Sequence, residues 1–294
     1  MAFLIMLNKT DKKGIVSFLL ITFVITYGIE FALLAGGISP IMKGLGQYAI
    51  ALVMWVPALA AFITVKYVEK IDFKILRINF GGWKPYIFTA IIIPFCYLII
   101  YFLTFLLGFG KPDWNMEYFK SVFAESKVNI PVIPNPTITW SLLYFTTLFF
   151  APIINGLFGF GEELGWRGYL LFKLLPLGKW KAYTLLSIIW GLWHLPMIIV
   201  GFMYPGYPIS GVFLFCVLTF SLGIFMNELT IYYNSSVLAG WIHGLFNSQR
   251  LGIWTILFPG VNPLLGGYNG LVGLVIWLLL GIITIRFFGK KKLP

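Results

Sequence analysis

Charge is scarce in this chain. Only 11% of its 294 residues are charged, Asp and Glu together number 10 against 21 Lys and Arg, and 60% are apolar, with a mean hydropathy of +0.91. That composition excludes an ordinary water-soluble domain and describes a polytopic membrane protein, in which the bilayer rather than length sets the organisation. Cysteine is scarcer still. Cys96 and Cys216 each lie inside an apolar run, which excludes a disulfide framework and a Cys-based metal site and leaves two packing residues. The net charge of +11 does not make a nucleic-acid binder, because the basic residues form short clusters beside apolar runs, as the cytoplasmic loops of membrane proteins do. No nucleic acid is expected as a partner, and the lipid bilayer is.

What the chain has instead is long apolar runs. Eight windows are long enough to cross a bilayer, near 14–34, 47–65, 85–109, 139–160 continuing to 175, 183–203, 211–231, 236–258 and 270–288. The expected fold is all-α: one transmembrane domain over 1–294, with about eight helices enclosing an intramembrane cavity. If eight spans alternate, Lys9, Lys12 and Lys13, the cluster from Lys66 to Lys84, then Lys173, Lys179 and Lys181, and finally Arg286 and Lys290 to Lys292 share one side. Lys43, Lys111, Lys120 and Lys127 fall on the other, the last three beside Asp113, Glu117 and Glu125. The asymmetry predicts a cell-membrane protein with both termini cytoplasmic. Residues 110–138 form the one long polar loop, placed outside, and Pro131, Pro134 and Pro136 predict an extended, non-helical lid. Pro57, Pro94, Pro152 and Pro196 read as kinks within spans, and Gly156, Gly159 and Gly161 as a place where the over-long fourth run bends.

Three ionised groups interrupt that fourth run: Glu162, Glu163 and Arg167. A carboxylate in lipid is costly unless it is paired or lines a wet cavity, so the default reading is a functional site. On a helix Glu163 and Arg167 stand at i and i+4 and can pair, while Glu162 is turned by about 100° and remains for chemistry. Both histidines of the chain are also intramembrane. His194 follows Trp190 by four residues, and Asn247 follows His243 by four, so each pair shares a helix face. On the assumed topology His243 lies about 10 Å from the cytoplasmic edge, and the four elements are expected to meet in a pocket open to cytoplasmic water. A carboxylate and an imidazole facing one water make a general base, and a second histidine with an amide suits an oxyanion. No serine or cysteine nucleophile lies in these motifs. A zinc site with Glu162, His194 and His243 as ligands uses the same atoms, although the His-Glu-x-x-His helix of common metalloproteases is absent.

Glu162-Glu163-x-x-x-Arg167, then Trp190-x-x-x-His194-Leu195-Pro196, then His243-x-x-x-Asn247-Ser248, in that order, resemble the motifs of the CAAX-processing and bacteriocin-processing (CPBP, or Abi) intramembrane proteases, which include the type II CAAX prenyl endopeptidases. The resemblance covers a catalytic core at about 139–258. It implies a glutamate-type, metal-independent endopeptidase in which Glu162 and His194 activate water, Glu163 and Arg167 support them, and His243 and Asn247 face the oxyanion. No cofactor is implied, with zinc as the alternative. Trp190 stands where that family usually has phenylalanine; it keeps an aromatic wall, so little harm is expected unless the bulkier ring narrows the substrate path.

The implied partner is a peptide or protein substrate at the membrane. A prenylated C-terminal peptide is the family's eukaryotic case; a bacteriocin, a peptide pheromone or an immunity role fits equally, and a prokaryotic plasma membrane is the expected setting. An immunity factor or scaffold that binds a peptide in the same groove is the non-enzymatic alternative, and a proton-coupled transporter using the buried ions as a relay is a third. Glu30, Glu228 and Arg250, near span ends, read as interfacial, and the tryptophans as membrane-interface belts.

Overall fold

The computed structural model describes residues 8–38, 45–125 and 135–289. Lys43, Lys127, Pro131, Pro134 and Lys290 to Lys292, used above for orientation and for the lid, lie outside them. The described residues hold helices and no strand. They are α1 (Lys9–Ala35), α2 (Leu45–Val53), α3 (Val56–Ile63) running into a π-helical turn (Thr64–Glu69), α4 (Lys84–Leu106) and α5 (Glu117–Glu125). Next come α6 (Pro136–Phe145), a second π turn (Thr146–Phe150), α7 (Ala151–Glu163), a third π turn (Leu164–Leu170) and α8 (Leu171–Leu174). The chain closes with α9 (Lys179–Trp193), α10 (Leu195–Ile199), α11 (Pro208–Tyr233), α12 (Ser236–Leu251), α13 (Ile253–Leu257) and α14 (Leu271–Phe288). The fold is that of an all-α polytopic membrane protein.

Six helices among the described residues are long and apolar enough to cross a membrane, including one of 42 residues over 136–177. The fifth and seventh expected crossings are the shorter α9, with 15 residues, and α12, with 16. Both still run from one end of the molecule to the other, as polar contacts at the two ends make clear. At one end, which carries the basic clusters, Lys173 Nζ bridges Asp11 (2.6 Å) and Glu69 (2.8 Å), Lys179 Nζ pairs with Glu228 (2.7 Å), and the Ser236 amide donates to the Arg77 carbonyl (3.0 Å). At the opposite end the Asp113 amide donates to the Leu257 carbonyl (2.7 Å), Asn262 to Phe109 (2.8 Å), and the Tyr204 hydroxyl to the Asn269 carbonyl (2.8 Å).

Several sequence expectations change here for identifiable reasons. Gly156 and Gly159 do not bend the fourth run; they bring α7 against α12. A Cβ on Gly156 would meet the Gly240 carbonyl at 3.8 Å, and one on Gly159 would meet the same oxygen at 3.0 Å and His243 Cβ at 2.9 Å. Gly161 does the same toward the Met54 carbonyl (2.8 Å), so these are small-residue contacts between helices. Pro57 and Pro152, by contrast, lie within the continuous helical spans 48–69 and 136–177 as expected, each just after a local break, and Pro94 is interior to α4; only Pro196 differs, opening the short α10. The loop at 110–138 is not wholly extended, since α5 occupies part of it. Glu228 stands at the basic end but does not snorkel: it is 1% exposed and engaged by Lys179 and by the Tyr183 hydroxyl (3.0 Å).

Candidate active site

Glu162 and Glu163 end α7 at the point where the helix widens into the π turn Leu164–Leu170. The turn keeps Glu163 and Arg167 paired on one face, and insertions of this kind recur at functional positions. Both side chains are buried, at 0% and 1% exposure, and each has a second partner. Arg167 Nε donates to Asn227 Oδ1 of α11 (3.0 Å), and the guanidinium lies over the Trp190 ring at 4.7 Å. The other oxygen of Glu163 contacts His243 Nδ1 at 2.8 Å. Glu162 points elsewhere, and its Oε2 accepts from Trp190 Nε1 (2.9 Å).

His194 owes its position to Pro196. The proline has no N–H for the Leu192 carbonyl, so the helix breaks at His194 between α9 and α10, and the Leu192 oxygen takes the Tyr27 hydroxyl instead (2.5 Å). The His194 amide turns to the Gly191 carbonyl (3.2 Å). The Trp190 carbonyl is thereby left for His194 Nδ1, at 3.0 Å. A carbonyl only accepts, so Nδ1 carries the proton and Nε2 of the neutral ring holds a lone pair. Trp193 and Phe215 box the ring, with centroids at 4.7 and 4.6 Å. On α12, His243 and Asn247 share the face turned to α7. Because Nδ1 of His243 meets the Glu163 carboxylate, its Nε2 is the atom left to act.

Glu162, His194, His243 and Asn247 line one cavity of about 370 Å³, together with Glu30, Asn155 and Arg250 and an apolar wall that includes Met54, Phe158 and Phe202. Glu163 and Arg167 do not reach it and stand behind the lining. A second cavity of about 30 Å³ lies among Trp190, His194, His243 and Asn247, room for about one water molecule. Among the described residues, no three His, Cys, Asp or Glu side chains come together as a metal-binding group.

Two expectations for this region are corrected. The cavity does not open toward the end with the basic clusters. Beyond Glu162 and His243 its lining continues through Ile50, Phe202, Met203, Arg250 and Leu251, all near the opposite ends of their helices, while Trp166, Arg167 and Leu170 fill the basic side. Counting residues from the start of α12 gave the height of His243 but not the direction of the hollow above it. Trp190 does not line the main cavity, in keeping with the little harm expected of its bulk; it holds Glu162 from behind. Glu30 and Arg250 are not interfacial snorkels, since both line the cavity and Glu30 is 2% exposed. The signal for Glu30 was present in the sequence, as a carboxylate within an apolar run. Trp190 and Asn227 gave no comparable signal, because their roles depend on which helices become neighbours.

Comparison with known proteins agrees with the motifs. Residues 137–249 match the family described as Rce1-like, type II CAAX prenyl endopeptidase, a segment that begins in α6, ends in α12 and holds Glu162, Glu163, Arg167, His194, His243 and Asn247. No curated protein matches the chain. Over that segment, less than half of its length, and set among membrane-spanning helices, the chain is similar to the type II CAAX prenyl endopeptidases.

Proposed function

We propose that this protein is an intramembrane endopeptidase that hydrolyses a peptide bond of a membrane-associated or lipidated peptide without a metal ion. The observation that carries the reading is that Glu162, His194, His243 and Asn247, drawn from three segments of the chain, line one cavity inside an apolar shell. Water held between Glu162 and His194 attacks the carbonyl carbon, and its proton passes to the Glu162 carboxylate or to the lone pair on His194 Nε2. The oxyanion forms beside Asn247 and His243, the latter oriented and charge-balanced by Glu163, which Arg167 holds. Collapse of the tetrahedral intermediate breaks the C–N bond, and the same proton passes to the leaving amine.

Both termini lie in the cytoplasm of a prokaryotic cell in this reading, by the distribution of basic residues. The cavity then faces the extracytoplasmic side, and the substrate approaches from there. In a cysteine-free background (C96A/C216A), Lys111→Cys should react with a membrane-impermeant maleimide in intact cells and Lys74→Cys only after permeabilisation; the reverse pattern overturns the orientation.

The test of the activity is Glu162→Gln. Proteomic comparison of cells carrying the intact or the substituted protein should yield peptides cleaved only by the former, and the purified variant should lose at least about 10³-fold in cleavage rate while remaining folded. Chelators should leave wild-type cleavage unchanged; inhibition reversed by zinc moves the mechanism to a metal. Full complementation of a null strain by both Glu162→Gln and His194→Ala makes the protein a binding or immunity factor instead.

A further inference from the structure

Glu30 sits on α1, outside the segment that carries the protease motifs, and the proposed hydrolysis has no task for it. Its side chain lines the main cavity, it is 2% exposed, and its Oε2 is buried without a hydrogen-bond partner. One turn back on α1 the Tyr27 hydroxyl donates to the Leu192 carbonyl and Thr26 Oγ1 accepts from Trp193 Nε1 (2.8 Å), and neither bonds Glu30 Oε2. Among the described residues no cation pairs with it.

The cationic group of the cavity, Arg250, is on α12. α1 packs against α2, α3 and α10, and α12 against α7, α4 and α11, so acid and base occupy different walls of one hollow, with Glu162 between them in sequence and on α7. Arg250 has its own vacancy for a partner, since its Nε is buried and unpaired while its guanidinium rests on the Phe202 ring at 5.1 Å. A buried carboxyl without a donor carries its charge only when a guest supplies one.

We propose that Glu30 is a specificity-determining residue that receives the ammonium or guanidinium of a basic residue in the substrate peptide. The cavity, about 370 Å³, lies at the small end of ligand pockets, so the basic residue stands within a few positions of the bond held over Glu162. The effect on cleavage rests on the proteolytic reading, whereas the binding does not.

The test therefore separates the two. Palmitoylated hexapeptides carrying one lysine, or norleucine as its neutral counterpart, at each position in turn are titrated by fluorescence anisotropy against full-length protein in nanodiscs, in the Glu162→Gln background. At one position lysine should bind at least about tenfold more tightly than norleucine. Adding Glu30→Gln should erase that ratio, and Glu30→Lys should transfer the preference to glutamate peptides. Glu30→Asp, which keeps the charge, should preserve part of the lysine preference and serves if Glu30→Gln fails to fold. Equal binding of lysine and norleucine peptides everywhere, or a lysine preference that survives Glu30→Gln, overturns the proposal. The same peptides offered to protein with Glu162 intact report on cleavage: lysine-selective binding without cleavage refutes the protease and keeps Glu30, and cleavage indifferent to lysine does the opposite.

Discussion

Arg167→Met isolates the energetic role of the buried pair behind the cavity. An exposed Glu–Arg pair at i,i+4 would contribute only ~0.3–0.5 kcal/mol, but Glu163 and Arg167 are 0% and 1% exposed. Removing the guanidinium strands a carboxylate whose remaining partner is His243, and it deletes the hydrogen bond to Asn227, whose Nδ2 already lacks a partner. Breaking a buried pair on one side costs about 3–5 kcal/mol, mostly as the penalty of the charge left behind. The double variant Glu163→Gln/Arg167→Met removes both charges and should recover about 2 kcal/mol or more of that loss, a coupling within the range for contacting residues. Activity should not follow stability. With an amide at position 163, His243 loses the carboxylate that orients it, so the double variant stays inactive although it folds. Thermal unfolding in micelles gives the first quantity and peptide cleavage the second. An Arg167→Met cost below about 1 kcal/mol, or strictly additive losses, would refute the reasoning, because neither is compatible with a dry, mutually dependent pair.

Three further outcomes can be checked independently. Trp190→Phe deletes the N–H that Glu162 Oε2 accepts at 2.9 Å and should lower kcat about tenfold or more, with KM unchanged because Trp190 does not line the main cavity; a rise in KM alone contradicts this. Gly159→Ala places a methyl 2.9 Å from His243 Cβ, and a displacement of about 1 Å should cost about 10²-fold in cleavage rate while the helices stay assembled by circular dichroism. Lys173→Met leaves Asp11 and Glu69 facing each other at the basic end. It should lower the unfolding midpoint with little effect on kcat, since none of the three lines the cavity.

How much of this was legible in the sequence depends on the range of the interaction. The Glu163–Arg167 pair, the separate direction of Glu162 and the shared face of His243 and Asn247 follow from helix periodicity within one element, and each appears in the structure as the spacing predicts. Periodicity could not tell that Gly159 would lie under His243 or that Trp190 would reach Glu162, since those facts need the α7–α12 and α7–α9 registers. Pro196 departs from the other prolines for a related reason. A missing N–H reads as a kink when the helix is assumed to continue, and as a start when it does not, and Pro196 is a start that creates the bend on which His194 depends.

Glu30 was undervalued by a different error. The rule that singled out Glu162, that an unpaired acid in an apolar run needs a reason, applies equally to α1, but proximity to a helix end supplied a cheap one. Height along the membrane normal decides solvation only for a helix facing lipid or water. For one facing a cavity, depth within the bundle decides it, and Glu30 is among the buried residues of α1. The same distinction explains why the direction of the cavity escaped a count of residues. Basic clusters bear on which way a chain inserts, whereas the hollow is shaped by where small and aromatic side chains let α7 and α12 close. They close along their length, Gly240 against Phe160 and Gly244 against Gly156, so the hollow lies to one side of the pair, where α1, α2 and α10 complete its lining.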